Sequence, residues 1–213
     1  MRRLPVYLLL DTSSSMMGEP IESVKTGVKS LLMALRQDPY ALENAYLSVI
    51  TFDNVARQVT PLTELIDFQA PDIKANGTTA MGDALRLLTD RIREEVHKGN
   101  AEQKGDWKPL VFLMTDGAPT DEWKSAVDAF KQAPTGIVVA CAAGEHADTN
   151  MLKRITENVV QIDGTDGASY AAFFKWVSSS ISTTSKKVDL TKSDVGNKLD
   201  ELPPPPPEVN VVI

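Results

Sequence analysis

The sequence predicts an α/β fold in which helices cover both faces of an open, mostly parallel sheet. Short apolar runs alternate along the chain with stretches whose apolar residues recur at helical spacing, which is the pattern of strands joined by crossover helices. Several apolar runs have no polar side at all, as expected of strands buried on both faces. The 213 residues, 42% of them hydrophobic, are enough to bury one substantial core.

The first strand and the first helix follow from local patterns. Residues 6–10 are uniformly apolar and stop at a polar turn, which predicts a buried strand. From Pro20 onward, apolar residues recur at helical spacing as far as Asp38-Pro39. Because proline suits the first turn of a helix and cannot continue one, we expect a helix between these two points.

An edge hairpin is expected next. Residues 46–52 and 55–62 predict two strands, and only Asp53 and Asn54 lie between them. A two-residue connection of this type favours a tight antiparallel hairpin, with its second strand at an edge of the sheet.

The rest of the body continues the alternation. In chain order, the sequence predicts a loop at 72–79, a helix at 85–96, a loop at 97–106, a strand at 110–114, a short helix at 123–130, a strand at 137–143, a helix at 151–155, a strand at 159–162 and a helix at 170–181. Ligands of such sheets bind outside the carboxyl ends of the strands. We therefore expect functional residues in the turns that follow the strands.

The helical pattern fails in the last part of the chain, where polar residues dominate and five consecutive prolines occupy 203–207. Such a run favours an extended polyproline II segment. We therefore divide the chain into a globular domain at 1–186 and a polar, proline-rich tail at 187–213 outside the main core. The apolar end at 209–213 is expected to pack against something, since five exposed apolar residues would promote aggregation.

Composition and charge exclude several classes of function. The net charge of -7 supplies no basic stripe, so nucleic acid is not an expected partner. No apolar run approaches the roughly 20 residues that a bilayer requires, and the first residues do not resemble a signal peptide. The single cysteine, Cys141, lies in an apolar strand and is expected to be an inert core thiol. We expect a cytoplasmic protein.

Oxygen-bearing side chains follow the first predicted strand. Asp11, Ser13 and Ser15 alternate in the turn, and alternate residues of an extended turn can point to the same side. Carboxylates and hydroxyls are hard donors that suit Mg²⁺, Mn²⁺ or Ca²⁺. Aspartate and serine are equally common in ordinary turns and helix caps, so this segment alone leaves both interpretations open.

Two further turns favour a metal site. Residues 76–85 place threonine hydroxyls just before a helix, and Thr115-Asp116-Gly117 ends another central strand. Three oxygen-bearing turns at one edge of one sheet are difficult to attribute to turn propensity alone.

The ordered set resembles the metal-ion-dependent adhesion site (MIDAS) of the von Willebrand factor A domain family. The resemblance covers about residues 4–185 and implies a Rossmann-like, three-layer α/β/α fold with one antiparallel edge strand. It also implies these metal ligands: Asp11, Ser13, Ser15, Thr79 and Asp116. In the family pattern the threonine precedes a helix leucine by six positions, which selects Thr79, six before Leu85, over Thr78.

The resemblance implies a protein partner that supplies a Glu or Asp to a divalent cation, with Mg²⁺ as first choice and Mn²⁺ or Ca²⁺ as alternatives. Two carboxylates and three neutral hydroxyls leave such an ion incompletely neutralised, so it attracts a further anionic oxygen. We therefore expect an adaptor or scaffold and not an enzyme. Overall likeness to the bacterial tellurium-resistance (TerY-like) group would fit a role in tellurite or stress resistance.

The alternative is a divalent-metal-dependent phosphoester hydrolase, since a bound cation can activate water. Against it, the sequence has neither a P-loop nor a nucleophile-elbow motif. His146 follows a predicted strand, so both a position at the rim of the same site and an ordinary loop position are open for it. Asp121 and Glu122 are expected to be first-turn carboxylates of the following helix, not ligands, and Met16 and Met17 would form an apolar contact if exposed.

Overall fold

The computed structural model describes residues 2–100, 102, 104–162 and 166–212. Within these residues the strands are β1 (Leu4–Asp11), β2 (Ala45–Phe52), β3 (Ala56–Glu64), β4 (Leu110–Thr115), β5 (Val138–Ala143), β6 (Val159–Ile162) and β7 (Val209–Val211). The α-helices are α1 (Glu19–Arg36), α2 (Pro39–Asn44), α3 (Met81–Glu95), α4 (Lys124–Phe130), α5 (Thr149–Ile155) and α6 (Gly167–Thr191).

The described strands form one seven-stranded sheet in the order β3-β2-β1-β4-β5-β6-β7. The central pairs are parallel, and both edge strands are antiparallel to their neighbours. β1 and β4 are adjacent in the middle of the sheet, where Leu10 pairs with Met114. Their carboxyl ends therefore lie side by side, in the position expected for a ligand site.

Two apolar cores cover the two faces of the sheet. Successive residues of β1 point to opposite faces, so Leu8 and Leu10 join the core under α1 and α6, whereas Tyr7 and Leu9 join the core under α3, α4 and α5. All eight residues of β1 are buried. The result is a three-layer α/β/α arrangement that holds the end of β1 rigidly from both sides.

The predicted strands and the central helices are confirmed, with small changes at their ends. The expected hairpin is present as the antiparallel pair β2–β3, and its connection has three residues, 53–55, instead of two. The short helix α2 is not part of the prediction. Asp38 caps it by accepting hydrogen bonds from the backbone N–H groups of Tyr40 and Ala41, so a new helix begins where the prediction placed only an end.

The prediction that residues 187–213 lie outside the main core differs from the structure. The helix α6 continues through Thr191, past the predicted boundary. Beyond it, Val195, Leu202 and Val209 are buried in the core under α1 and α6. β7 pairs with β6 as a second antiparallel edge strand, so the apolar end does pack, as expected, but against this chain's own sheet.

No helix in the described part of the chain combines the length and the apolar composition needed to cross a membrane.

Candidate metal centre

The Asp11 carboxylate is the buried centre of the site. Asp11 is the last residue of β1 and is only 1% exposed. One of its oxygens accepts a hydrogen bond from the Ser13 backbone N–H at 2.7 Å, and the other accepts one from the Thr115 hydroxyl at 2.5 Å. The second contact exists because β1 and β4 are parallel neighbours. The sheet topology thus fixes the position of the carboxylate.

A chain of side-chain hydrogen bonds leads from Ser13 to the carboxylate after β4. The hydroxyl oxygens of Ser13 and Ser15 are 3.0 Å apart, and the Ser15 hydroxyl donates to Asp116 Oδ1 at 2.7 Å. A short 3₁₀ turn at Ser14–Met16 directs the two serines to the same side. The structure therefore brings together four of the residues predicted from the sequence: Asp11, Ser13, Ser15 and Asp116.

Thr79 lies two residues before α3 and faces the turn after β4. Its side chain is buried, and its hydroxyl oxygen points towards the turn after β4. This oxygen lies 3.9 Å from the position that a Cβ on Gly117 would occupy. No hydrogen bond joins this hydroxyl to any residue of the described ranges. Thr78, by contrast, is exposed, and its hydroxyl donates to Asn54 Oδ1 at 3.1 Å. The geometry therefore favours Thr79 over Thr78 as the residue that faces the site.

Backbone hydrogen bonds hold the loop before α3 against the turn after β1. The Ser14 N–H donates to Gly77 O at 3.0 Å, and the Asn76 N–H donates to Thr12 O at 2.8 Å. Gly77 has a φ of 76°, which a glycine adopts without strain. Residues more than 60 positions apart in the sequence are thereby held together at the edge of the sheet.

Three contributors to this arrangement were not predicted from the sequence. Thr115 supplies the hydroxyl that binds Asp11. Thr120 accepts a hydrogen bond from the Thr79 backbone N–H, and Asp121 accepts hydrogen bonds from the N–H groups of Gly82 and Asp83. The expectation for Asp121 was wrong, because its carboxylate caps α3 and not the helix that follows it.

Burial dominates the electrostatics of the two site carboxylates. It raises the pKa of Asp11 from 3.8 to about 6, although the hydrogen bonds from Ser13 and Thr115 oppose the rise. Burial also raises the pKa of Asp116, although the hydrogen bond from the Ser15 hydroxyl opposes the rise. Neither carboxylate forms a salt bridge within the described ranges. Two partly desolvated acids without a basic partner form a donor set that a divalent cation would neutralise.

The chemistry of the donors points to a hard cation. The residues that converge carry carboxylate and hydroxyl oxygens, which suit Mg²⁺, Mn²⁺ and Ca²⁺. Among the described residues, no group of three or more His, Cys, Asp and Glu side chains is placed to hold a metal ion. A cation at this site would therefore depend on the hydroxyls as well as on the two acids.

The surface beside the site contains an open pocket of about 410 Å³. The residues that line it include Ser15, Asp116, Tyr170 and His146, so His146 does lie at the rim. Of the two methionines after the turn, Met16 is fully buried and Met17 is 63% exposed. The exposed side chain of Met17 and this pocket therefore both lie beside the cluster of carboxylates and hydroxyls.

The sequence model of the von Willebrand factor type A domain matches residues 6–175. The chain belongs to the von Willebrand factor type A family. Membership confirms the predicted resemblance and the Rossmann-like α/β/α fold with its mostly parallel sheet. The narrower likeness to the tellurium-resistance group is not confirmed.

Similar proteins match this chain over only part of their own length. The uncharacterized protein sll0103 of Synechocystis sp. is 36% identical over 123 residues, which are 54% of this chain and 26% of that protein. A von Willebrand factor type A structure from Catenulispora acidiphila has a TM-score of 0.66 at 19% identity and covers 85% of this chain and 43% of that one. The chain therefore spans less than half the length of either protein.

A third similar structure is proximal thread matrix protein 1 from the mussel byssus, in a form with a zinc-occupied MIDAS motif. It has a TM-score of 0.59 at 20% identity, covering 83% of this chain and 46% of that one. At this identity the likeness establishes the fold, and the metal is a property of the byssal protein.

Proposed function

We propose that this chain is a metal-dependent protein-interaction module that acts as an adaptor or scaffold. The observation that carries the proposal is the convergence of hydroxyls and carboxylates from three separate turns at the carboxyl ends of β1 and β4. Membership of the von Willebrand factor type A family supports it, because that family includes metal-dependent interaction modules. The residues that would hold the cation are Asp11, Ser13, Ser15, Thr79 and Asp116.

The bound cation would supply a positive charge that attracts one more anionic oxygen, from a Glu or Asp of a protein partner. Mg²⁺ is our first choice, and Mn²⁺, Ca²⁺ and the Zn²⁺ of the byssal protein belong in any metal titration. Because the net charge is -7, long-range attraction of an acidic partner is not expected. Recognition would therefore depend on local contact, including the exposed Met17.

Binding is favoured over catalysis by the bonding of the site's hydroxyls. The Ser13 hydroxyl contacts that of Ser15, which donates to the Asp116 carboxylate. Both hydroxyls therefore belong to the oxygen cluster, and among the described residues no histidine bonds to either serine to activate it as a nucleophile. Cys141 is fully buried, and burial strongly raises the pKa of its thiol. The overall likeness to the tellurium-resistance group extends the proposal to an adaptor in a cytoplasmic response to tellurite or stress.

Partner capture in Mg²⁺ and in EDTA tests the proposal. We expect the parent protein to retain a partner in Mg²⁺ and to release it in EDTA. Ser13→Ala should not retain it, because the substitution removes one ligand oxygen. Thr78→Ala is the matched control, since the Thr78 hydroxyl is bonded to Asn54, and it should behave as the parent does.

Two outcomes would contradict the proposal. One is a partner that is retained equally in EDTA and by Ser13→Ala. The other is Mg²⁺-dependent turnover of a generic phosphoester that Ser13→Ala abolishes, which would identify a hydrolase instead.

A further inference from the structure

The loop between β4 and α4 forms a two-residue latch, Thr120 and Asp121, on the start of α3. Thr120 bonds both backbone groups of Thr79: its hydroxyl accepts from the Thr79 N–H at 3.1 Å, and its own N–H donates to the Thr79 carbonyl at 2.9 Å. A pair of hydrogen bonds of this kind fixes the Thr79 backbone in both position and orientation.

Asp121 extends the latch into the helix. Its two carboxylate oxygens accept from the backbone N–H groups of Gly82 and Asp83 at 3.0 and 2.9 Å. The N-cap residue Ala80 supplies no side-chain hydrogen bond, so a distant loop provides the cap that α3 lacks. Gly82 permits this approach, because a Cβ there would overlap the Glu122 carbonyl oxygen.

The latch matters because Thr79 is held differently from the other site residues. The side chains of Asp11, Ser13, Ser15 and Asp116 are joined by hydrogen bonds to one another or to Thr115. The Thr79 hydroxyl has no such bond among the described residues, so its position depends on the Thr79 backbone and on the packing of this buried side chain. The latch begins four residues after Asp116 on the same loop. It therefore connects the loop that carries Asp116 to the start of α3, next to Thr79.

We propose that Thr120 and Asp121 are positioning residues that hold the Thr79 hydroxyl at the metal and thereby set the affinity for the cation. The inference rests on the proposed metal-binding function. Neither residue touches the cation. They fix the Thr79 backbone before the cation binds, so less conformational entropy is lost on binding. Hydrogen-bonding partners of metal ligands change metal affinity by about 10- to 100-fold.

Isothermal titration of the EDTA-stripped full chain with Mg²⁺ and with Mn²⁺ tests the latch. Thr120→Val keeps the shape of the side chain and removes its hydroxyl, so we expect affinity to fall about tenfold. Thr120→Ser restores the hydroxyl and should bind within about twofold of the parent. Thr78→Val, which removes a neighbouring hydroxyl bonded to Asn54, should bind as the parent does.

The midpoint of thermal unfolding of each variant is measured in EDTA as well. The titrations are run well below the lowest of these temperatures, so that every variant is folded. A merely structural Thr120 would lower the midpoint of the Val variant but leave its metal affinity unchanged, and that result overturns the inference. Thr120→Ser binding as weakly as Thr120→Val overturns it as well. Thr120 is exposed, so the Val variant is expected to fold.

Asp121→Asn provides a second, independent variant. It keeps one carbonyl acceptor and loses the other, so we expect weaker metal binding than the parent.

If Thr120→Val does not fold, parent-like affinity in Asp121→Asn overturns the inference. If the parent itself binds none of Mg²⁺, Mn²⁺ and Zn²⁺, the proposed function fails and the inference with it, whereas equal binding by parent and variants contradicts the inference alone.

Discussion

The Asp11 carboxylate is stabilised by two hydrogen bonds and by no positive charge in the described structure. Burying an acid in this way disfavours its ionised form, which is why its pKa rises to about 6. Hydrogen bonds offset only part of the desolvation cost of a buried charge. Burying this charge lowers the stability of the metal-free protein. Such a cost is expected where the charged group serves binding and not folding.

The pKa of Asp11 predicts how the stability of the metal-free protein depends on pH. The folded protein binds the Asp11 proton more tightly than the unfolded chain, whose pKa is near 3.8. The free energy of unfolding should therefore fall as pH rises from about 4 to about 6, by about 2 kcal/mol for this group. Urea unfolding in EDTA at several pH values measures the change.

Asp11→Asn is the control for that experiment, because the amide keeps the size of the side chain and cannot ionise. Asp116, whose pKa is also raised, is present in both proteins, so its own contribution largely cancels, and its coulombic effect on Asp11 remains in the difference. Subtracting the two curves should isolate the loss between pH 4 and pH 6. A difference that stays constant across this range would show that Asp11 ionises as readily in the folded protein as in the unfolded chain.

The residues of the site were predictable to different degrees, for physical reasons. Asp11, Ser13 and Ser15 are neighbours in the sequence and follow one strand, so a local pattern predicts their convergence. Asp116 requires in addition that two strands be adjacent, which the alternation of strands and helices indicates. Asp121 was misassigned, because an acid just before a helix normally caps that helix, and only the tertiary structure shows that it caps α3.

At the scale of elements, α1 and α6 pack unusually closely at one point. Gly27 in the buried face of α1 lies against the ring of Phe174 in α6, and a Cβ at Gly27 would overlap that ring. Glycine in the middle of a helix is intrinsically unfavourable by about 0.5–1 kcal/mol relative to alanine. The close contact between the helices therefore explains why a glycine is tolerated there.

Gly27→Ala should destabilise the protein, by a net amount of about 1–2 kcal/mol, because the overlap with Phe174 outweighs the gain in helix propensity. Urea unfolding measures the change. The double variant Gly27→Ala, Phe174→Leu should cost less than the sum of the two single variants, since the smaller side chain relieves the overlap. If Gly27→Ala alone stabilises the protein, the two helices separate freely and the packing argument is wrong.

The C-terminal end of α6 shows where pattern-based prediction of elements fails. Serines, threonines and lysines dominate the sequence from 178 to 187 and have mostly modest helix propensity. The helix nevertheless continues to Thr191, because Ile181 and Val188 are fully buried. Hydroxyls also bond to the preceding turn, as Thr191 does to the Lys187 carbonyl. Tertiary packing therefore decides the length of this helix.

At the scale of the whole molecule, the segment after α6 wraps back along the sheet and closes its edge. Asn158 bonds to it twice, through the Asn197 carbonyl and the Leu199 N–H. The Trp176 indole N–H donates to the Pro203 carbonyl at 2.8 Å. These contacts join residues that are distant in sequence, so the polar composition of the segment could not predict them.

The last strand should stabilise the whole fold mainly through its first residue, Val209. On β7, Val209 is 3% exposed and belongs to the core under α1 and α6, whereas Val211 is 47% exposed. Val209→Ala should lower the free energy of unfolding by about 2 kcal/mol, because it removes buried apolar volume and leaves a cavity. Val211→Ala, matched in residue and strand, should change it by less than about 0.5 kcal/mol. Urea unfolding compares the two, and equal effects would mean that β7 is not anchored to the core.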